Sequence, residues 1–187
     1  MPETSPPDPS VVLDLITAFR RSKVMFAAVE LGIFDALEDR PQSSADLARA
    51  LSLHPDALAR LLDAAVGLKL LERRGNAYAN TSAASAYLCK SSPSRFTGYI
   101  QYSNAAMWKL WGNLEGAVRE GTHRWKETYG WDGPIFSSFF HTEDDAREFL
   151  MGMHGFGVLS SPAVVSAFDL SRFRRLVDLG GATKRFA

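Results

Sequence analysis

The residues of this chain whose types and spacing best suit chemistry stand close to its C-terminal end. In Leu176-Val177-Asp178-Leu179-Gly180-Gly181-Ala182-Thr183, apolar residues flank an acid and run into two glycines. The pattern predicts a buried parallel strand ending in a tight turn, which is how α/β folds meet nucleotide-type cofactors. Glycines there let the backbone approach the ligand, and the helix that follows turns its N-terminus toward it. An acid at the end of such a strand, here Asp178, can accept from the loop backbone or from a ligand amine.

Other candidates are weaker. His54 stands beside a helix start, His123 in a loop, His141 before a cap and His154 on a glycine-rich helix. Only His154 falls among residues expected around a pocket, either as a general base or as packing or polar lining. No Cys/His/carboxylate spacing resembles a metal site. Cys89 follows Tyr87-Leu88 on an expected helix and reads as a small buried hydrophobe. The sequence assigns no catalytic residue and no metal ligand.

Several helices must position these groups. Asp8-Pro9 opens the first, which runs to about Glu30. Its apolar residues, Val11, Val12, Leu13, Leu15, Ile16, Phe19, Val24, Met25, Phe26 and Val29, spread over far more than one stripe and call for cover on two sides. The sequence therefore points to a dimerisation helix, with burial in its own domain as the alternative. Residues 43–80 read as helix, helix, hairpin. Ser43 with Asp46 forms a capping box, Pro55 opens a helix carrying Leu58, Leu61, Leu62 and Ala65, and Gly75-Asn76 turns a two-stranded wing. That is a winged-helix pattern, but its second helix offers Asp56, Arg60 and Asp63 to solvent, a poor match for a phosphate-lined groove.

From Ser92-Pro93 the periodicity predicts helix up to Gly121, through Phe96, Tyr99, Ile100, Met107, Leu110, Trp111, Leu114 and Val118. A loop at 130–134 and a short helix with Ile135, Phe136, Phe139 and Phe140 follow. Thr142 with Asp145 then caps a helix bearing Phe149, Leu150, Met153 and Phe156. Gly152, Gly155 and Gly157 on that helix each cost ~1 kcal/mol relative to alanine, so they predict close approach of a backbone or ligand. A frayed or broken helix is the plainer alternative. Pro162 is expected to restart a helix to about Phe168.

The composition narrows the class. Among 187 residues, Lys+Arg and Asp+Glu are both 21, so no basic field recruits nucleic acid. One cysteine suits a reducing compartment, no apolar run approaches the ~20 residues of a membrane helix, and the Pro-rich N-terminus lacks the regions of a signal peptide. The expectation is a cytoplasmic protein without nucleic-acid or membrane partners.

Four motifs in order resemble the small-molecule O-methyltransferases that use S-adenosylmethionine, in particular the acetylserotonin (hydroxyindole) O-methyltransferase-like group. They are Ala28-Val29-Glu30-Leu31-Gly32-Ile33-Phe34-Asp35, Gly67-Leu68-Lys69-Leu70-Leu71, Trp111-x-x-Leu114-x-x-Ala117-Val118-x-x-Gly121, and Phe168-Asp169-Leu170-Ser171 with Leu176–Gly181. The resemblance implies a mainly α fold. A winged-helix dimerisation domain would occupy 10–90, a helical lid and substrate wall 91–170, and the truncated start of a Rossmann-like cofactor domain 171–187. It further implies that Asp178, Gly180 and Gly181, with Phe140, meet S-adenosylmethionine. Tyr102, Phe149, Met153 and Phe156 would line the pocket of a small aromatic acceptor, and the protein would be a homodimer through its first helix.

The pattern departs from the family at Ala182 and Lys184, where glycines are usual. The ribose-holding acid and the general-base histidine of the family find no counterpart in these residues. The expectation is a truncated O-methyltransferase with an incomplete cofactor site, inactive as this chain alone. The alternatives are a non-catalytic dimerisation module pairing with a full-length relative and, third, a winged-helix DNA-binding regulator.

Overall fold

A computed structural model of the chain describes residues 7–130, 142–175, 177 and 179. The fold is mainly helical with a small three-stranded sheet. Its contacts divide it into two units, Met1–Thr81 and Ser82–Ala187.

In the first unit α1 (Ser10–Glu30) starts where Asp8 directs it. The Asp8 carboxylate accepts from the Ser10 amide at 3.0 Å and the Ser10 hydroxyl at 2.6 Å, and these bonds hold its pKa below the ordinary value. Only Ala28 and Val29 of this helix are buried, whereas Val11, Leu15 and Ile16 are 71%, 68% and 57% exposed. The broad apolar coverage expected to need two-sided cover is thus uncovered over its first turns. A left-handed Gly32 (φ 70°) lets the chain turn at once into α2 (Ile33–Ala36), whose Ile33 and Phe34 are fully enclosed.

The helix–helix–hairpin order of residues 43–80 holds. Ser43 caps α3 (Ser44–Ala50): its Oγ accepts from the Asp46 amide at 3.2 Å and donates to the Asp46 carboxylate at 2.7 Å. Pro55 opens α4 (Pro55–Gly67), which buries Leu58, Leu62 and Ala65 along one face. Strands β2 (Leu71–Arg74) and β3 (Ala77–Asn80) pair antiparallel around Gly75, whose φ of 62° a two-residue hairpin loop requires. The sequence did not foretell β1 (Gln42–Ser43), which pairs with β3 at Gln42↔Tyr78 and Ser43↔Ala77 to give the order β1-β3-β2. Asn80 Nδ2 donates to the Phe34 carbonyl at 2.8 Å and Gln42 Nε2 to that of Ala36, tying α2 to the sheet. On the exposed side, Tyr78 donates to Asp63 at 2.7 Å, and Arg73 pairs with the same carboxylate at 3.4 Å.

The second unit begins with α5 (Ser82–Tyr87). Helix was expected from Ser92-Pro93, but it starts later, at α6 (Thr97–Tyr102). Ser92 Oγ donates to the Ala86 carbonyl at 2.5 Å and the Phe96 amide to Tyr87 at 2.8 Å, which holds the intervening residues in turns. The expected single helix up to Gly121 is also divided. A π-helical turn (Ser103–Met107) leads into α7 (Trp108–Trp111), and after a break at Gly112-Asn113 comes α8 (Leu114–Glu120). Gly121, with φ 67°, ends it as expected. Helix α9 (Trp125–Tyr129) follows and stops at Gly130.

Helix α10 (Glu143–Ser166) begins directly after Thr142. Pro162 does not restart a helix but lies inside this one, and the axis turns by 44° between Phe149–Val158 and Ser160–Ser166. Proline removes one amide donor and its ring crowds the carbonyl four residues back, so the helix bends there rather than ending. Beyond it the described residues are irregular, with the Ser171 amide donating to Asp169 at 3.0 Å. Of the expected terminal strand only Val177 and Leu179 are described, and both are exposed and outside any strand. No single helix among the described residues is long and apolar enough to cross a membrane.

Candidate functional site

The second unit is built around the approach of α6 to α10, and two of the three glycines on α10 explain its closeness. A Cβ on Gly152 would lie 2.8 Å from Tyr99 Cα and closer still to the Tyr99 amide nitrogen, and one on Gly155 would lie 2.6 Å from the Arg95 carbonyl oxygen. Both positions are buried. Glycine is expensive in a helix interior, but here it admits another backbone where a methyl group could not fit. Gly157 is different: a Cβ there would meet only Ser161 Oγ, at 3.9 Å.

Close backbones bring the aromatic side chains into one ladder. Tyr87 stacks on Phe96 at 5.1 Å between ring centroids, and Phe96 on Phe156 at 4.7 Å. Phe156 meets Tyr99 edge-on at 4.8 Å, and Tyr102 meets Phe149 edge-on at 4.8 Å. These offset and edge-to-face arrangements are the favoured ones for aromatic pairs. Burial, with Tyr99 close by, pushes the Tyr102 hydroxyl's pKa up, so the phenol stays protonated and keeps a donor at neutral pH. On α10, past the ladder, Met153, His154, Gly157, Val158, Ser161, Pro162 and Val165 line an open, mostly apolar groove of about 620 Å³ at the bend.

The structure therefore brings together Tyr102 with Phe149, and places Phe156 in the same ladder and Met153 on the adjoining groove. His154, singled out among the histidines, lines that groove too. Phe140, Asp178, Gly180 and Gly181 lie outside the described residues. Phe96 and Tyr99 were read from the sequence only as helical spacing, yet they are central to the ladder. The Gly152-x-x-Gly155 pair was the signal for them, since it demanded a partner helix. Tyr129 is a further member of this unit that no local pattern marked. Its hydroxyl donates to the carbonyls of Ala105 and Ala106, at 3.2 and 3.0 Å.

Two family models match the chain: the O-methyltransferase dimerisation domain over residues 13–90 and the O-methyltransferase domain over 111–187. The acetylserotonin O-methyltransferase of Gallus gallus is 37% identical over 180 residues, which cover 92% of this chain and 52% of that protein. The chain belongs to the O-methyltransferase family. A human protein described as a probable bifunctional dTTP/UTP pyrophosphatase/methyltransferase is 36% identical over 99% of this chain and 30% of its own length. Among solved structures, human N-acetylserotonin methyltransferase in complex with SAM superposes with a TM-score of 0.79 at 32% identity, over 91% of this chain and 52% of that one. The chain thus spans about half the length of the acetylserotonin O-methyltransferases it matches. The family resemblance read from the four motifs holds.

Proposed function

We propose that this stretch serves an S-adenosylmethionine-dependent O-methyltransferase of the acetylserotonin type, which methylates a hydroxyl of a small aromatic molecule. The observation that carries the reading is the likeness to acetylserotonin O-methyltransferases along nearly the whole chain, in sequence and in fold. The relative solved with SAM supports the cofactor assignment. When bound, that cofactor supplies an electrophilic methyl group. By the resemblance Asp178, Gly180, Gly181 and Phe140 hold it.

The described wall suits the acceptor instead. Tyr102, Phe149, Phe156 and Met153 are aromatic or apolar, and among the described residues His154 and Ser161 are the only strongly polar groups on the adjoining groove. Such a surface takes a flat, largely neutral ring, and its described residues offer no carboxylate to a charged amino-acid end. Its part in the reaction would be to hold that ring in one orientation for the transfer that the cofactor would supply.

Residues 10–90 would form a winged-helix dimerisation domain, 91–170 the substrate wall and 171–187 the start of the cofactor domain. The apolar beginning of α1 supports a homodimer formed through this helix, because Val11, Leu15 and Ile16 are exposed on a domain whose family is named for dimerisation. The same face supports a second reading, in which these residues act as a non-catalytic module that pairs with a full-length relative. Nucleic acid is disfavoured: α4 exposes Asp56 and Asp63, and Arg73 is engaged by Asp63. We place the protein in the cytoplasm.

Methyl transfer from S-adenosylmethionine to a panel of indoles, phenols and hydroxylated polyketides, by a protein that carries this stretch together with an acetylserotonin-type cofactor domain, tests the reading. Turnover of at least one such acceptor, with its KM raised about tenfold or more by Phe149→Ala, is expected. No transfer to any aromatic hydroxyl, or a Phe149→Ala variant with unchanged acceptor KM, overturns it.

A further inference from the structure

The π turn at Ser103–Met107 stands directly between Tyr102 and α7. Nothing in Ser103-Asn104-Ala105-Ala106-Met107 demands it, for there is no proline or glycine in the segment. A π turn inserts one residue into the helical register and leaves carbonyl capacity unmet, so it persists where something else satisfies that capacity. Here the partner is a phenol. Tyr129 Oη donates to the carbonyl oxygens of Ala106 at 3.0 Å and Ala105 at 3.2 Å, and Ala106 is completely buried.

Tyr129 is itself held firmly. It is the last residue of α9, which ends because Gly130 adopts φ 77°. Its ring stacks on Trp125 at 5.7 Å, and the Lys109 ammonium lies 5.8 Å from the ring centre. Beside it, Asn113 Nδ2 donates to Thr128 Oγ1 at 3.1 Å, a second tie between the last turn of α9 and the segment after the π turn.

One extra residue rotates everything upstream by about 100° relative to everything downstream, because a helix turns once in 3.6 residues. The register of the π turn therefore decides which way Tyr99 and Tyr102 face. In the observed register both face α10, Tyr102 against Phe149 and Tyr99 against Phe156. We propose that the Tyr129 hydroxyl latches this π turn and so acts as a positioning residue that aims Tyr102 at Phe149 and keeps it in the acceptor wall. The proposal deepens the acceptor-wall reading and rests on it for its kinetic consequence, but not for its structural one.

Tyr129→Phe removes the hydroxyl and keeps the ring. Two readouts on this chain need no activity. Amide exchange across 103–111 should quicken about fivefold, the size set by one neutral hydrogen bond, with α3 and α4 unchanged. The carbon-13 resonance of the Tyr102 ring should titrate at lower pH, because burial is the main cause of that hydroxyl's raised pKa and loosening hydrates it. In a protein that carries this stretch together with an acetylserotonin-type cofactor domain, the acceptor KM should rise about fivefold with kcat and the S-adenosylmethionine KM unchanged, and 4-aminophenylalanine at 129, which restores a donor, should reverse the effect. Unchanged exchange over 103–111 overturns the latch. Faster exchange with the Tyr102 titration unmoved overturns its role in aiming Tyr102. A wild-type protein that methylates no aromatic hydroxyl sinks the functional reading alone, and the exchange and titration arms still decide this one.

Discussion

Replacing Gly152 by alanine puts the packing argument at risk most directly. The added methyl carbon would stand 2.8 Å from both Tyr99 Cα and Tyr99 Cβ and closer still to the Tyr99 amide nitrogen, against the 3.4 Å at which ordinary contact begins, so α6 and α10 must part by about an ångström. A gap of that size forfeits up to about half of the dispersion energy between surfaces in contact. Among the described residues three aromatic pairs span the interface, Phe96–Phe156 at 4.7 Å and Tyr99–Phe156 and Tyr102–Phe149 both at 4.8 Å, and all would loosen together. Overpacking costs about 1–3 kcal/mol, weakened aromatic pairs add about 1, and alanine returns about 1 through helix propensity. The net loss is about 2 kcal/mol, or roughly 10 °C in the melting temperature of a unit of this size. Gly157→Ala is the internal control: with only Ser161 Oγ at 3.9 Å, it should keep the propensity gain and melt slightly higher. Thermal and urea unfolding of both variants, followed by circular dichroism, measure this. If Gly152→Ala melts with the parent chain, or Gly157→Ala falls as far, the close-approach argument is wrong.

Leu62→Ala, at a position with no exposed surface, should cost about 2–5 kcal/mol in urea unfolding of the first unit. Ser43→Ala should cost about 1 kcal/mol through the lost cap, read from the same experiment. The Asp46 pKa is held below its ordinary value first by the Ser43 hydroxyl and then by Arg49. A carboxylate depressed in the folded state contributes stability above its unfolded pKa and loses it as pH falls through the folded one. The Asp46 contribution should thus be full at neutral pH and fade below about pH 4. In Ser43→Ala the Asp46 titration followed by NMR should move upward, and an unmoved curve counts against the assignment. Ile16→Glu, on the uncovered face of α1, should shift the protein from dimer to monomer in light scattering at tens of micromolar, leaving the circular dichroism spectrum intact.

What could be read from the sequence was what short spans of chain decide. The Ser43 cap, the Pro55 helix start, the hairpin at Gly75 and the stop at Gly121 each depend on residues a few positions apart, and all are present. The cost of helical glycine pointed correctly to a close neighbour at Gly152 and Gly155, though not to which helix it was. Distant partners stayed hidden. Strand β1 exists only because β3 arrives from much later in the chain, and the π turn is sustained by Tyr129 from another helix. Pro162 was read as a boundary because a missing amide favours one, whereas here it bends a continuous helix. Of the candidate site, Tyr102 and Phe149 do meet, while the cofactor residues lie outside the described ones.

Ser43 occupies two elements at once. Its backbone angles, φ −71° and ψ 158°, are those of an extended strand residue paired with Ala77, and equally those of a helix cap whose side chain takes the Asp46 amide. One conformation serves both, so the first turn of α3 and the edge of the sheet have no independent way to open. Fraying α3 from its N-terminus rotates Ser43 out of register with β3, and peeling β1 away withdraws the cap. These pieces should behave as one cooperative foldon, with the amides of Asp46 and Tyr78, the latter opposite Gln42 of β1, exchanging at a common opening free energy despite their distance in sequence. A single residue inserted between Ser43 and Ser44 would uncouple them, and the two amides would then exchange at separate rates.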